Sequence, residues 1–160
     1  MESIENKIVS ALRKRKMTIA TAESCTGGLV SAKITSVSGS SDVISFSMVT
    51  YSNEAKIQKL GVKRETVEQF GAVSEQTAKE MAERIKILAD SDVGIGVTGV
   101  AGPSTSEGKP VGLVFIGAAF DDRTIVQRLE LGNLTRDEIR EKAAEKALNL
   151  TLKGVTNATQ

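Results

Sequence analysis

TAESCTGG, at residues 21–28, decides the fold, because a β-prone run leads into it and a helix-forming run leads out of it. Residues 16–21 favour a strand, and residues 29–34 have an apolar pattern compatible with a helix. A strand, a glycine-containing turn and a helix start, in this order, form the unit with which α/β proteins hold anionic or nucleotide-like ligands. This stretch therefore predicts a ligand site at the end of the first strand.

The turn itself offers groups that could contact a ligand. Ser24 or Thr26 can cap the helix, and Gly27 and Gly28 are expected to leave its first N–H groups uncovered. A capped turn without a ligand fits the glycines equally well, because short glycine turns are common in such folds. Other parts of the sequence must decide between the two interpretations.

Composition limits the classes of protein to which the chain can belong. The 160 residues are 40% hydrophobic, which predicts a single domain over 1–160 with its core at about 5–152. A net charge of +1 and 3% aromatic residues argue against a nucleic-acid partner. The first six residues do not resemble a signal peptide, and no apolar run could span a bilayer. We expect a cytoplasmic protein without a membrane partner.

The chain contains no histidine and one cysteine. A Ser-His-Asp triad, a histidine base and a histidine-containing metal site are therefore excluded within one chain. A zinc or iron–sulfur centre is not expected either. Proton transfer in an enzyme of this composition falls to Lys, Asp, Glu, Tyr or a group of the ligand.

Apolar periodicity and turn residues predict six helices and five strands. The helices are expected at 4–15, 26–36, 52–60, 63–70, 74–89 and 135–152, and the strands at 17–23, 43–51, 93–97, 111–119 and 123–129. The last two strands form an antiparallel pair, Thr135 caps the last helix, and residues 154–160 form a loose tail. This order predicts a three-layer α/β/α sandwich with a mostly parallel sheet.

Three segments go beyond a generic fold: residues 21–28, residues 39–42 with 49–56, and residues 96–103 with 109–112. In order and spacing they resemble the CinA C-terminal domain family, whose characterised members are nicotinamide-nucleotide amidases. The likeness runs from about residue 5 to about residue 150. Larger members carry an additional N-terminal domain similar to molybdopterin-binding proteins, so the resemblance suggests a stand-alone amidase.

The resemblance implies hydrolysis of the carboxamide of nicotinamide mononucleotide to nicotinic acid mononucleotide and ammonia, a step of pyridine-nucleotide recycling in NAD metabolism. It also implies a mixed five-stranded sheet, no metal and no cofactor. The expected partner is a small-molecule nucleotide substrate, and we further expect a homo-oligomer.

The family pattern places the nucleophile at Ser41 and its activating base at Lys56, with Tyr51 close by. Lysine can act as a base near neutral pH when desolvation or a neighbouring positive charge lowers its pKa. From the residues alone, Ser41 is a turn or cap serine and Lys56 a solvated helix lysine. Tyr51 could stack on a pyridine ring or pack as an edge-strand aromatic.

Substrate binding is predicted on the two glycine-rich turns and at the start of the last helix. Thr98 and the N–H groups that follow it suit the oxyanion or the amide, and the first turn suits an anionic group. The two arginines at the helix start suit a phosphate, although surface ion pairing explains them as well. The predicted residues are Ser24, Thr26, Gly27, Gly28, Thr98, Gly99, Arg136 and Arg140.

Two alternatives remain open at this stage. Cys25 could be the nucleophile, together with Glu23 and a lysine, because a thiolate near a helix N-terminus is activated. The chain could also be a non-catalytic nucleotide-binding or regulatory module, linked to competence or the DNA damage response. The sequence also departs from the family pattern after Pro103 and before Arg136, which affects loop geometry and the register of the arginine.

Overall fold

The computed structural model describes residues 1–157, in which a five-stranded sheet lies between two layers of helices. In chain order the elements are α1 (Ile4–Arg15), β1 (Ile19–Glu23), α2 (Leu29–Thr35), a 3-10 turn (Ser40–Asp42), β2 (Met48–Val49), α3 (Asn53–Ala55) with a π turn (Lys56–Leu60), α4 (Arg64–Phe70), α5 (Glu75–Ala89), β3 (Val93–Gly99), β4 (Leu113–Ala119), β5 (Thr124–Glu130) and α6 (Arg136–Asn157).

The strand order is β2-β1-β3-β4-β5. β1 is parallel to β2 and β3, whereas β4 is antiparallel to β3 and β5, so β4 alone among these strands runs in the opposite direction. The predicted three-layer α/β fold with a mixed, mostly parallel sheet is confirmed, and so is the antiparallel pair at its end. The carboxyl ends of β1 and β3 lie side by side, which places the two glycine-rich turns at one edge of the sheet.

Helices cover both faces of the sheet. α1, α2 and α6 pack on one face through buried side chains such as Leu12, Ile34 and Leu148. On the other face, Met81 and Ile85 of α5 pack with alanines of β1 and with the end of the π turn. All five residues of β1 are buried, as a strand between two helix layers requires.

The glycines of β3 have a packing role. A Cβ atom at Gly96 would lie 2.5 Å from the carbonyl oxygen of Ala78 and 2.7 Å from the amide nitrogen of Ala82. Both atoms belong to α5, so the helix backbone rests directly on the strand. The alternating glycines of residues 93–97 therefore mark a close approach of backbones.

The predicted strand at 43–51 is wrong in extent, because only Met48 and Val49 form β2. The backbone N–H of Thr21 donates to Ser47 Oγ at 3.1 Å, so a side chain replaces the backbone carbonyl that would extend the ladder. Near the beginning of the predicted strand, Ile44 forms only an isolated bridge with Ile19.

The two ends of α6 test two predictions. Thr135 caps the helix as predicted: its hydroxyl accepts from the N–H of Glu138 at 3.2 Å, and the Glu138 carboxylate accepts from the N–H of Thr135 at 3.1 Å. The predicted loose tail is wrong for residues 154–157, which continue the helix because Gly154 packs on the Phe120 ring and Val155 is buried. Residues 158–160 lie outside the described part of the chain.

Among residues 1–157, no helix combines the length and apolar character that a membrane span needs.

Candidate active site

A cleft of about 260 Å³ opens at the carboxyl ends of β1 and β3. The turn after β1, the start of the π turn, the turn after β3, the loop at 104–107 and the first residue of α6 form its walls. Six predicted site residues from distant parts of the sequence line it together: Ser24, Tyr51, Lys56, Thr98, Gly99 and Arg136.

Lys56 lies at the bottom of this arrangement and is only 1% exposed. It is the first residue of the π turn, where the carbonyl of Lys56 accepts from the N–H groups of Gly61 and Val62. Its Nζ donates to Ser24 Oγ at 2.9 Å, to the carbonyl oxygen of Thr50 at 2.9 Å and to that of Tyr51 at 3.3 Å. A single π turn inside a helix is often found at functional sites.

Burial changes the acid–base behaviour of this lysine. Desolvation lowers the pKa of Lys56 from 10.5 to about 8, and the opposing effects of Cys25 and Glu107 are smaller. No carboxylate pairs with its ammonium group among the ion pairs of residues 1–157. Lys56 can therefore lose its proton near neutral pH, as the role of a base requires.

Ser41, the predicted nucleophile, does not lie beside Lys56. It is exposed in the 3-10 turn at the amino end of β1, where Val43 O accepts from the N–H of Ile19 at 2.8 Å. Ser24 follows the carboxyl end of the same strand. Five strand residues at roughly 3.3 Å each separate the two ends by about 16 Å. The predicted pairing of Ser41 with Lys56 is corrected accordingly: the hydroxyl beside Lys56 is that of Ser24.

The turn at 24–28 does not leave the N–H groups of α2 uncovered, contrary to expectation. Gly28 is the N-cap residue and supplies no side-chain cap, so the N–H groups of Val30 and Ser31 donate to the Glu23 carboxylate, each at 2.9 Å. The hydroxyl of Thr26 donates to the same carboxylate at 2.7 Å. An anion of the protein itself thus occupies this helix start, and a substrate phosphate would be repelled there.

Neither Ser24 nor Thr26 caps α2 as expected, and the Glu23 carboxylate takes this role instead. A carboxylate next to a turn whose N-cap position is glycine could have indicated the capping role, because such a helix start still needs an acceptor.

The two predicted arginines have different surroundings. Arg140 lies behind the turn at 24–28, where its guanidinium donates to the carbonyls of Cys25 at 3.0 Å and Thr26 at 3.1 Å. It also lies against Gly27, where a Cβ atom would be 3.2 Å from its Nη2. Arg136 is exposed at the cleft mouth instead, donating to Gly102 O at 2.6 Å.

Tyr51 and Thr98 also differ in what they can offer a ligand. Tyr51 is 62% exposed, and its hydroxyl accepts from Arg136 Nη2 at 2.9 Å, so ring and guanidinium form one rim of the cleft. Thr98 is buried, and its hydroxyl donates to Ala72 O at 2.8 Å. The Thr98 proton is thus already used, which leaves its hydroxyl unable to serve as an oxyanion donor in this arrangement.

Cys25 lines the cleft next to Ser24 but is not suited to attack. Burial raises the pKa of its thiol to about 11, mainly through desolvation. The thiolate, which is the reactive form, is therefore scarce at neutral pH. The burial of the Cys25 thiol therefore disfavours the alternative in which Cys25 is the nucleophile.

Comparison with known proteins agrees with this fold. A family model described as the CinA C-terminal domain matches residues 1–155. A CinA-like protein of Kosmotoga olearia is 52% identical over 150 residues, which are 92% of this chain and 36% of that protein. A CinA-like protein of Petrotoga mobilis is 46% identical over 144 residues, or 89% and 35% of the two chains. The chain thus spans about a third of the length of these curated relatives.

Solved structures give the same result in three dimensions. The competence/damage inducible protein CihA from Agrobacterium tumefaciens matches with a TM-score of 0.91 and 37% identity, covering 96% of this chain and 93% of that one. A CinA superfamily protein from Klebsiella pneumoniae matches with a TM-score of 0.93 and 30% identity, covering 96% of both chains. Because the family model and these relatives cover nearly all of its residues, the chain belongs to the CinA C-terminal domain family.

Proposed function

We propose that the chain is an amidase that hydrolyses the carboxamide of nicotinamide mononucleotide to nicotinic acid mononucleotide and ammonia, with Ser24 as nucleophile and Lys56 as base. One observation carries this proposal: the Nζ of a fully buried lysine lies 2.9 Å from a serine hydroxyl at the cleft. Serine and lysine are a known catalytic pair among hydrolases that use no histidine.

The hydrogen bonds around Lys56 suit the neutral amine. A neutral amine has two N–H donors and one lone pair, whereas the ammonium has three donors. When Lys56 is neutral, its two donors can remain on the carbonyls of Thr50 and Tyr51, and its lone pair then faces the Ser24 hydroxyl. Loss of one proton thus changes Lys56 from a donor to an acceptor for Ser24 without moving either side chain.

The reaction then proceeds in two steps that share one base. Ser24 Oγ attacks the carboxamide carbon while its proton passes to Lys56 Nζ, and ammonia leaves with that proton as the C–N bond breaks. The product of this step is an ester between Ser24 and the pyridine carboxyl group. Water, giving a proton to Lys56, attacks the ester next; Ser24 regains the proton, and nicotinic acid mononucleotide is released.

Groups at the cleft mouth support a nucleotide substrate. The exposed Tyr51 ring can stack on a pyridine, and Arg136 beside it can bind a phosphate through its free N–H donors. Arg140 does not line the cleft, and the Glu23 carboxylate already accepts from the N–H groups at the start of α2. The phosphate is therefore assigned to Arg136, which lines the cleft and is exposed at its mouth. The choice of nicotinamide mononucleotide itself rests on the resemblance to the nicotinamide-nucleotide amidases.

Ammonia release tests the proposal. We expect a higher kcat/KM for nicotinamide mononucleotide than for its riboside or free nicotinamide, because binding of the remote phosphate positions the carboxamide against Ser24. Equal kcat/KM values for the mononucleotide and the riboside would exclude a phosphate site at Arg136. Binding of the mononucleotide without any release of ammonia would instead support the alternative, a non-catalytic nucleotide-binding or regulatory module.

A further inference from the structure

Glu23 is the last residue of β1 and directly precedes Ser24. Its side chain is 0% exposed, yet none of the ion pairs of residues 1–157 includes it. A buried carboxylate is costly unless hydrogen bonds satisfy it. What Glu23 does in this position therefore depends on the donors that surround it.

Four donors converge on this carboxylate, and they come from three parts of the chain. Thr21 Oγ1, on β1, donates to Oε2 at 2.9 Å. Thr26 Oγ1, in the turn, donates to Oε1 at 2.7 Å. The remaining two are the N–H groups of Val30 and Ser31 in the first turn of α2, one on each oxygen. The carboxylate thus connects the strand, the turn and the helix on either side of Ser24.

Only an ionised carboxylate can accept all four bonds. A glutamine of the same length has one acceptor oxygen, and its NH₂ group would face two donors. Charge-assisted bonds of this kind are also stronger than neutral ones, particularly in a buried site. The turn geometry thus depends on the charge of Glu23 as well as on the shape of its side chain.

From these contacts we propose that Glu23 is a positioning residue, which fixes the turn so that Ser24 Oγ stays in hydrogen-bond reach of Lys56 Nζ. This inference rests on the proposed function, since it takes Ser24 as the nucleophile. Glu23 is not among the residues that line the cleft, and its carboxylate binds the N–H groups at the start of α2. Its contribution is to the reactivity of Ser24, which depends on alignment of donor and acceptor.

The test uses an alkyl fluorophosphonate, which reports on an activated serine without requiring any particular amide substrate. Ser24 Oγ bonds to phosphorus as the P–F bond breaks, the hydroxyl proton passes to Lys56 Nζ, and fluoride leaves. Mass spectrometry measures the rate of labelling. We expect Glu23→Gln to label at least about tenfold more slowly than wild type, because the near-attack alignment is lost. Under the proposed function, kcat for nicotinamide mononucleotide should fall in parallel while KM changes less than about threefold, since the cleft mouth is intact.

A matched control separates positioning from loss of stability. Ile34→Ala removes a buried side chain from the same helix, α2, without touching the carboxylate. Assayed well below its unfolding temperature, it should label at the wild-type rate. Thr26→Val removes one of the four donors and should slow labelling by a smaller factor, which provides a readout even where Glu23→Gln does not fold.

The possible results distinguish the two proposals. If Glu23→Gln labels at the same rate as wild type, the role of Glu23 is overturned and the proposed function is left intact. Where Glu23→Gln does not fold, an equal rate in Thr26→Val leads to the same conclusion. A slow rate in Ile34→Ala as well would show that stability alone sets the labelling, which also overturns it. Labelling that persists in Ser24→Ala overturns both proposals, because Ser24 would then not be the reactive group.

Discussion

Replacing Lys56 with methionine tests whether burial of the charged Lys56 side chain destabilises the native state. Burial lowers the pKa of Lys56 from 10.5 to about 8, so the native state binds the proton more weakly than the unfolded chain does. The charged Lys56 therefore lowers the free energy of unfolding by its full amount at pH values well below 8. Stability is gained as the pH rises from about 8 towards 10.5, where the unfolded chain still carries the proton.

From pH 7 to pH 10, a group with these two pKa values adds roughly 2 to 3 kcal/mol to the free energy of unfolding. Lys56→Met lacks the titrating group but keeps all others. The difference in unfolding free energy, wild type minus variant, should therefore rise by this amount over the interval. Urea unfolding followed by circular dichroism at pH 7 and pH 10 measures it.

Lys59 provides the matched control for this experiment. It lies in the same π turn but is exposed, so Lys59→Met should keep a constant difference from wild type at both pH values. If Lys56→Met and wild type have the same pH dependence, Lys56 carries no burial cost in the native state. The physical basis for its role as a base near neutral pH would then be refuted.

Three further predictions concern binding, packing and the thiol. Arg136→Lys should lower kcat/KM for nicotinamide mononucleotide by about tenfold to a hundredfold, because a bidentate charge-assisted contact is lost; an equal loss for the riboside would exclude a phosphate contact. Gly96→Ala should lower the free energy of unfolding by at least about 2 kcal/mol, since its Cβ would lie 2.5 Å from Ala78 O, and an unchanged urea midpoint would contradict this close packing. Cys25, with a thiol pKa of about 11, should react slowly with a thiol reagent in the native protein and rapidly in urea, whereas fast native modification would restore it as a candidate nucleophile.

The fold was largely predictable from the sequence because local patterns and packing agree. The amphipathic α5 and the glycine-rich β3 are predicted close to their observed bounds, and each needs the other to bury its apolar surface. β2 was overestimated because its alternating side chains fit a strand, whereas the hydroxyl of Ser47 takes the place of a backbone acceptor. A side-chain hydroxyl that replaces a backbone acceptor does not change the pattern of apolar residues, so the sequence does not reveal it.

The site was predictable only in part. Lys56 and Tyr51 line the cleft together with residues of the two glycine-rich turns. The serine beside Lys56 is not predictable in the same way, because two serines occupy turns and only the strand direction shows that Ser24 and Ser41 lie at opposite ends of β1. Capping of α2 by Glu23 was also missed, since that contact crosses the turn and has no fixed sequence spacing.

The assignment of Ser24 and Lys56 as the reacting pair is tested most directly by ammonia release from nicotinamide mononucleotide. Wild type, Ser24→Ala and Ser41→Ala are compared at equal protein concentration. Loss of the nucleophile should reduce kcat at least about a thousandfold in Ser24→Ala, whereas Ser41→Ala should stay within about twofold of wild type because Ser41 is exposed and remote from Lys56. Turnover that survives in Ser24→Ala, or is abolished in Ser41→Ala, would contradict the assignment.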